Sequence, residues 1–309
     1  MRRTIFLALC LLLPAAAAQA ANFDCAKAST EVEKTICADP DLSKADERLA
    51  GAFASALAVT LSPQELRQQQ LAWLAERDAL PDIEALRQTY QNRSDVLAKS
   101  IDKWRAIRED VTLEAAQKVC VVPPDAPDDT PCLVEAFGSV EGDAALRYQL
   151  QVYKDGDLRM GGGVVVFRVT GQRLTPIVAI AGETEHYEAP NLLPSAVGTL
   201  LVVPGYLEGT GHFNAEAVYL YDGGQLSDID TEGWRRDLTR RLPHGWAVWK
   251  GIYPRYKTLT ATTPIWQTTD GNCCPTAGRA DVRLRLQDQR LVIDELKITK
   301  GADAADSLR

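Results

Sequence analysis

Val121-Val122-Pro123-Pro124-Asp125-Ala126-Pro127-Asp128-Asp129-Thr130-Pro131 packs four prolines and three aspartates into one short stretch. No regular element accommodates it, because each proline lacks a backbone donor and pushes the residue before it out of the helical region. It reads as a break, and the linker is placed around it at residues 113–134. The two flanks differ in texture. Before it, apolar residues recur at helical spacing and glycine occurs only once between Thr30 and Asp110, at Gly51; after it come apolar runs of strand length separated by turn residues. The expected class is α+β, with an N-terminal four-helix, disulfide-linked domain over residues 22–112. A mainly antiparallel β domain follows over residues 135–300, then a small polar tail at 301–309 that is expected to fray.

Upstream, Thr30 and Glu33 form the spacing of a capping box, so a first short helix starts there and ends near Cys37, before Asp39-Pro40. A second runs from Asp41 to about Val59 with Leu42, Ala45, Leu49, Phe53 and Ala56 on its buried stripe. Ser62-Pro63-Gln64-Glu65 predicts the start of a third, capped by Ser62 and ending near Leu80 and Pro81. The fourth is the spine of the domain, with Ile83, Leu86, Tyr90, Leu97, Ile101, Trp104 and Ile107 along one face.

Downstream, strands are expected at Tyr148 to Tyr153, Val164 to Val169, Ile177 to Ile180, Leu200 to Val203, Ala217 to Tyr221, Val282 to Leu286 and Leu291 to Leu296. Turns at Asp155-Gly156, Asp222-Gly223 and Gln287-Asp288 read as hairpins. The pattern leaves sandwich, barrel and partial propeller open.

At the far N-terminus, Arg2 and Arg3 precede an apolar run from Ile5 to Leu13 and then Ala18-Gln19-Ala20, the three parts of a cleavable signal peptide over residues 1–20. The run is too short to span a bilayer, and no later segment approaches spanning length. A lipid-anchoring signal needs a small residue before cysteine, whereas Leu9 precedes Cys10 and Asp24 precedes Cys25. The expectation is a soluble periplasmic or secreted protein. The chain carries 34 basic and 42 acidic residues, a net charge of −8; cleavage would remove two arginines and no acid. An acidic surface repels nucleic acid and anionic lipid and favours a cationic partner.

Beyond Ala20 six cysteines remain: Cys25, Cys37, Cys120, Cys132, Cys273 and Cys274. An even number in an oxidising compartment favours bridges. Cys25 with Cys37 and Cys120 with Cys132 are the obvious local pairs. For Cys273 and Cys274 the alternatives are a vicinal disulfide, cross-pairing with Cys120 and Cys132, or two reduced thiols.

A search for catalytic chemistry finds no Gly-x-Ser-x-Gly and no His-Glu-x-x-His, and places His186, His212 and His244 in loop-like sequence. The chain is therefore expected not to be an enzyme. Asp228, Asp230, Glu232 and Gly233 imitate half a calcium loop, but Thr239 stands where the closing acid belongs, so an ordinary acidic turn is expected. Zinc at His186 with Glu183 or Glu188 lacks ligand spacing. No metal or cofactor is expected. Trp234, Trp246, Trp249, Tyr253, Tyr256 and Trp266 are dense enough to stack on sugar rings, but filling the β core is the expected role.

Phe23-Asp24-Cys25-Ala26-Lys27-Ala28, Glu33-Lys34-Thr35-Ile36-Cys37, Leu42 with Asp46, and Gln70, Trp73, Arg77 and Asp78 together resemble the N-terminal domain of the LprI-like lysozyme-inhibitor family. The resemblance covers roughly residues 22–100 and leaves the C-terminal half uncovered. Two cysteines usual in the family are replaced, at Leu80 and near Ala85; if they normally bond each other, their joint loss supports Cys25 to Cys37 as the remaining bridge. The resemblance implies a non-enzymatic, exported binding protein that inhibits lysozyme-type muramidases. The alternative is a cell-envelope module that binds peptidoglycan glycan or an envelope protein through the aromatic-rich β domain. Candidate binding residues are Glu33, Asp46, Arg77 and Asp78 for the helical part, and Trp246 and Trp249 for the β part.

Overall fold

A computed structural model describes residues 23–301 except Pro81 and Asp128. The signal-peptide expectation and all of the tail but Gly301 lie outside the described residues. The fold is α+β: four helices and a Cys25–Cys37 disulfide in the N-terminal part, then antiparallel sheets. The helices are α1 (Glu31–Ala38), α2 (Pro40–Val59), α3 (Pro63–Asp78) and α4 (Ile83–Ile107).

The chain divides into two compact units, one of residues up to Ser55 with Trp73–Ala98, the other of Ala56–Ala72 with residues from Lys99 on. Residues 56–72 and 99–112, expected with the helical domain, thus group with the sheets.

In the first unit the capping box at α1 is present: Thr30 Oγ1 accepts from the Glu33 backbone, and the Glu33 carboxylate accepts from the Ser29 and Thr30 backbones. The Asp39 carboxylate gathers the N–H groups of Asp41 and Leu42 at the head of α2. Ile36, Leu42, Leu49, Trp73, Leu86, Tyr90 and Leu97 are the unit's buried apolar residues. Ile83, expected on the buried face of α4, is 41% exposed, because it stands in the first turn, ahead of the packed stripe. The Cys25–Cys37 bridge closes a loop of 12 residues, which stabilises the fold by about 3 kcal/mol through the unfolded chain.

The second unit is built on three antiparallel meanders. Strands β1 (Val111–Thr112), β2 (Cys132–Ser139), β3 (Leu146–Asp155), β4 (Leu158–Thr170) and β5 (Arg173–Gly182) form a sheet in the order β1-β5-β4-β3-β2. β6 (Glu185–Tyr187) pairs with β9 (Gly205–Leu207) as a short ribbon. β7 (Asn191–Ser195), β8 (Gly198–Val203), β10 (Ala217–Asp222) and β11 (Gln225–Asp228) make the second sheet, and β12 (Trp246–Ala247), β13 (Thr260–Gln267), β14 (Gly278–Gln287) and β15 (Arg290–Lys300) the third. Each sheet is open at two edge strands, which excludes a single closed barrel.

The sheets stack face to face, and strand alternation decides the contacts. On β8, Leu201 and Val203 face a cluster with Val164, Val166 and Val178 of the first sheet. Leu200 and Val202 point the other way, to Ile265, Ala280, Val282 and Leu284 of the third. The outer face of the first sheet, through Val165, Phe167 and Ala179, packs on Leu61, Trp104 and Ala116. Covered on both faces, β4 buries Val164 to Phe167 without interruption.

The expected linker differs in detail. Residues 113–134 hold α5 (Leu113–Lys118), capped by the Thr112 hydroxyl, and the first residues of β2. The irregular run after α5 is fastened from β3. Gln149 donates to the carbonyls of Ala116 and Val119 and accepts from the Val121 backbone, while Gln151 donates to the Val121 carbonyl and to Gln149 and accepts from the Tyr153 hydroxyl. The Cys120–Cys132 disulfide closes the same run.

Candidate functional site

The four helical candidates are used mainly within the first unit. Glu33 is engaged in the α1 cap, whose hydrogen bonds from Thr30 and Ser29 hold its carboxyl below the usual range. Asp46 and Arg77 are buried around Tyr90: the Tyr90 hydroxyl donates to Asp46 at 2.7 Å, and Arg77 Nη1 donates to the same hydroxyl at 3.3 Å. Asp78 accepts from Arg77 Nε and Nη2 at 2.8 and 2.6 Å, and Arg77 lies over the Trp73 ring. Trp73 meets Tyr90 edge-on at 5.2 Å. Asp46, Arg77 and Asp78 are thus brought together in one network, whereas Glu33 is spent elsewhere.

The aromatic interval divides. Trp234, Tyr256 and Trp266 are buried, whereas Trp246 and Trp249 are half-buried and Tyr253 is 46% exposed. Trp249 stacks on Trp266 at 5.8 Å, and the Lys300 ammonium lies over Trp246. His186, expected in a loop, lies on β6, and Tyr206 of β9 is sandwiched between it and His212 at 4.9 and 4.8 Å. Among the described residues no group of histidine, cysteine and acidic side chains is arranged to hold a metal. The acids of the calcium-like stretch have protein partners instead. Asp228 pairs with Arg67, and Asp230 gathers the N–H groups of Glu232 and Gly233 at the start of a helix, α6 (Gly233–Arg241).

The arrangement with the most chemical character is an acidic cavity of about 210 Å³ in the second unit, lined by Gln64, Glu65 and Gln68 of α3 and by Tyr187, Asn214, Glu216 and Glu232. Its volume is below the roughly 300–1,000 Å³ of small-molecule sites and is suited to one side chain. Ser62, expected to cap α3, donates its hydroxyl to the Ala179 carbonyl at 2.8 Å and so ties α3 to β5. Gln68 accepts from Arg236 of α6.

Behind the lining residues Glu216 and Glu232 stands Arg235. It is buried and donates to Glu216, to Glu232, to the Thr231 carbonyl and twice to the Ile252 carbonyl. Burial opposes its charge, but Glu216 and Glu232 outweigh burial and keep it firmly protonated. Glu216 also accepts from the Tyr256 hydroxyl at 2.8 Å and from Asn214 at 3.0 Å. Glu232 is pushed above the usual carboxylate range, first by burial. At the mouth Glu65, an exposed residue, is likewise raised, by desolvation on its cavity side and then by the charges of Asp125 and Glu185. Negative charge therefore exceeds what Arg235 neutralises, and a cationic group entering here would be favoured. Sequence reasoning assigned Glu65 to a cap and missed the cavity, because its acids are scattered from position 65 to 232 and carry no local spacing.

Residues 25–119 match the family model of the lysozyme inhibitor LprI. The LprI match takes in all four N-terminal helices and α5, and so includes the α3 wall of the cavity. It covers about a third of the chain; the C-terminal half matches no family. No curated protein matches the chain. Among the described residues no helix is long and apolar enough to cross a membrane.

Proposed function

We propose that this protein is a non-enzymatic, extracytoplasmic binder that inhibits lysozyme-type muramidases. The match of residues 25–119 to the lysozyme inhibitor LprI carries this reading. Charge supports it: the chain is acidic at −8, and common lysozymes are strongly cationic. In this reading the acidic cavity receives a lysine or arginine side chain of the enzyme, whose positive charge is met by Glu65 and Glu232. The Asp46–Tyr90–Arg77–Asp78 network acts as support for the helices rather than as contact surface.

The test titrates purified protein into lysozyme acting on cell walls. A lytic rate that falls to a plateau at stoichiometric protein is the expected result, and Glu65→Gln with Glu232→Gln should weaken it. An unchanged lytic rate removes the inhibitor reading. Retention of the protein on insoluble peptidoglycan, lost in Trp246→Ala or Trp249→Ala with folding intact, would point instead to a glycan-binding module.

A further inference from the structure

Cys273 and Cys274, adjacent in sequence, are bonded to each other in the loop between β13 and β14. Both residues are exposed, whereas Cys25, Cys37, Cys120 and Cys132 are half-buried. The three bridges also differ in what they do for the chain. Those at 25–37 and 120–132 each close a loop of 12 residues and restrict the unfolded state, whereas a bond between neighbours closes no loop and restricts almost nothing. Stability therefore does not account for the third bond.

The loop that carries it is held by other means. The Asp270 carboxylate accepts from the Gln267 backbone, the Thr276 backbone and the Thr276 hydroxyl at 2.8, 2.9 and 2.6 Å. The Cys274 N–H donates to the Gly271 carbonyl at 3.0 Å, and the Asn272 amide reaches Thr210 on a neighbouring loop. No sulfur atom takes part in any of these contacts. The loop thus presents an accessible disulfide on a scaffold that does not depend on it, the situation in which exchange chemistry is separated from folding.

We infer that Cys273–Cys274 is a redox-active site that exchanges two electrons with a dithiol, such as that of a Cys-x-x-Cys oxidoreductase, while the rest of the protein stays folded. One thiolate of the dithiol attacks a sulfur of the pair and forms a mixed disulfide, and the other sulfur leaves as a thiolate. The second thiolate of the dithiol then attacks the mixed disulfide and releases the first cysteine. The dithiol is oxidised to its disulfide, the pair is reduced to two thiols, and the dithiol's two protons end on Cys273 and Cys274.

The test exposes the native protein to a dithiothreitol series, traps thiols with iodoacetamide and maps them by mass spectrometry, with near-ultraviolet circular dichroism on the same samples. Cys273 and Cys274 should be alkylated together at dithiothreitol concentrations on the order of tenfold or more below those that open the other two bridges. The circular dichroism should be retained and oxidised dithiothreitol should restore the bond. The double variant Cys273→Ser, Cys274→Ser should lose this first step and keep its Tm within about 2 °C. The inference is overturned if all three bridges open together with unfolding, if either of the other two opens first, or if Cys273 and Cys274 are alkylated with no reductant.

Discussion

Arg235 shows how one side chain can hold several elements at once. Its guanidinium serves Glu216, Glu232 and the carbonyls of Thr231 and Ile252, so no donor is wasted and two carboxylates are compensated. Removing one partner of a buried ion pair strands the other, at about 3–5 kcal/mol. Arg235→Ala is therefore expected to lower unfolding stability in urea by that amount. Arg235→Lys should recover little of it, since a single ammonium cannot reach both carboxylates and both carbonyls. Glu65 has the opposite sign. Its carboxyl, on an exposed residue, is raised above the ordinary 4.5 by desolvation on its cavity side and by Asp125 and Glu185, so the stability it contributes is complete below about pH 4.5 and is lost as the pH rises through the folded-state value. Glu65→Gln should have a higher Tm than the parent at pH 7 and an equal one at pH 4. A lower Tm for the variant at pH 7 would show that the ionised carboxylate is stabilising after all.

Elements were legible where their signals are local. The Thr30–Glu33 box starts α1 because both its bonds span three residues, and the hairpin turns at Gly156 and Gly223 lie where the left-handed φ demands them. Ser62 shows the limit: its spacing reads as a cap, but the hydroxyl serves Ala179, which is 117 residues away. α6 carries no legible apolar stripe, because its buried side has only two apolar residues, Trp234 and Leu238, and one of its four arginines, Arg235, is buried with them. The run after α5 reads as a linker because its prolines exclude a regular element, while the residues that fasten it lie on β3. Gln149 and Gln151 look like solvent-facing residues of β3, yet both are almost fully buried, because they satisfy the backbone of residues 116–121. That role predicts the effect of Gln149→Leu, which keeps the volume but orphans the Val121 N–H and the Ala116 and Val119 carbonyls. Each unsatisfied group costs about 1–3 kcal/mol, and amide exchange should accelerate across residues 116–121 before the rest of the second unit responds. Slow exchange in that run would mean that the Cys120–Cys132 bridge alone holds it.

For the whole molecule, charge is the property that every proposed contact with a muramidase must pass through. At −8 the protein attracts a cationic enzyme over a distance set by salt, about 10 Å at 0.1 M and 3 Å at 1 M. Long-range attraction accelerates encounter, whereas the fit of a basic side chain into the cavity determines how long the complex lasts. The two contributions should separate in kinetics. Raising sodium chloride from about 0.02 to 0.3 M is expected to reduce the association rate on the order of tenfold or more, with a smaller change in the dissociation rate. Glu65→Gln with Glu232→Gln should do the reverse: it removes only two of 42 acidic residues and so changes steering little, but it weakens what holds the cation in the cavity. Stopped-flow association with a cationic lysozyme, followed by dilution to read dissociation, measures both. If salt leaves association unchanged, electrostatic steering has no part in the encounter. If the double variant slows association as strongly as salt does while dissociating at the parent rate, the cavity acts only through its charge and does not seat a side chain.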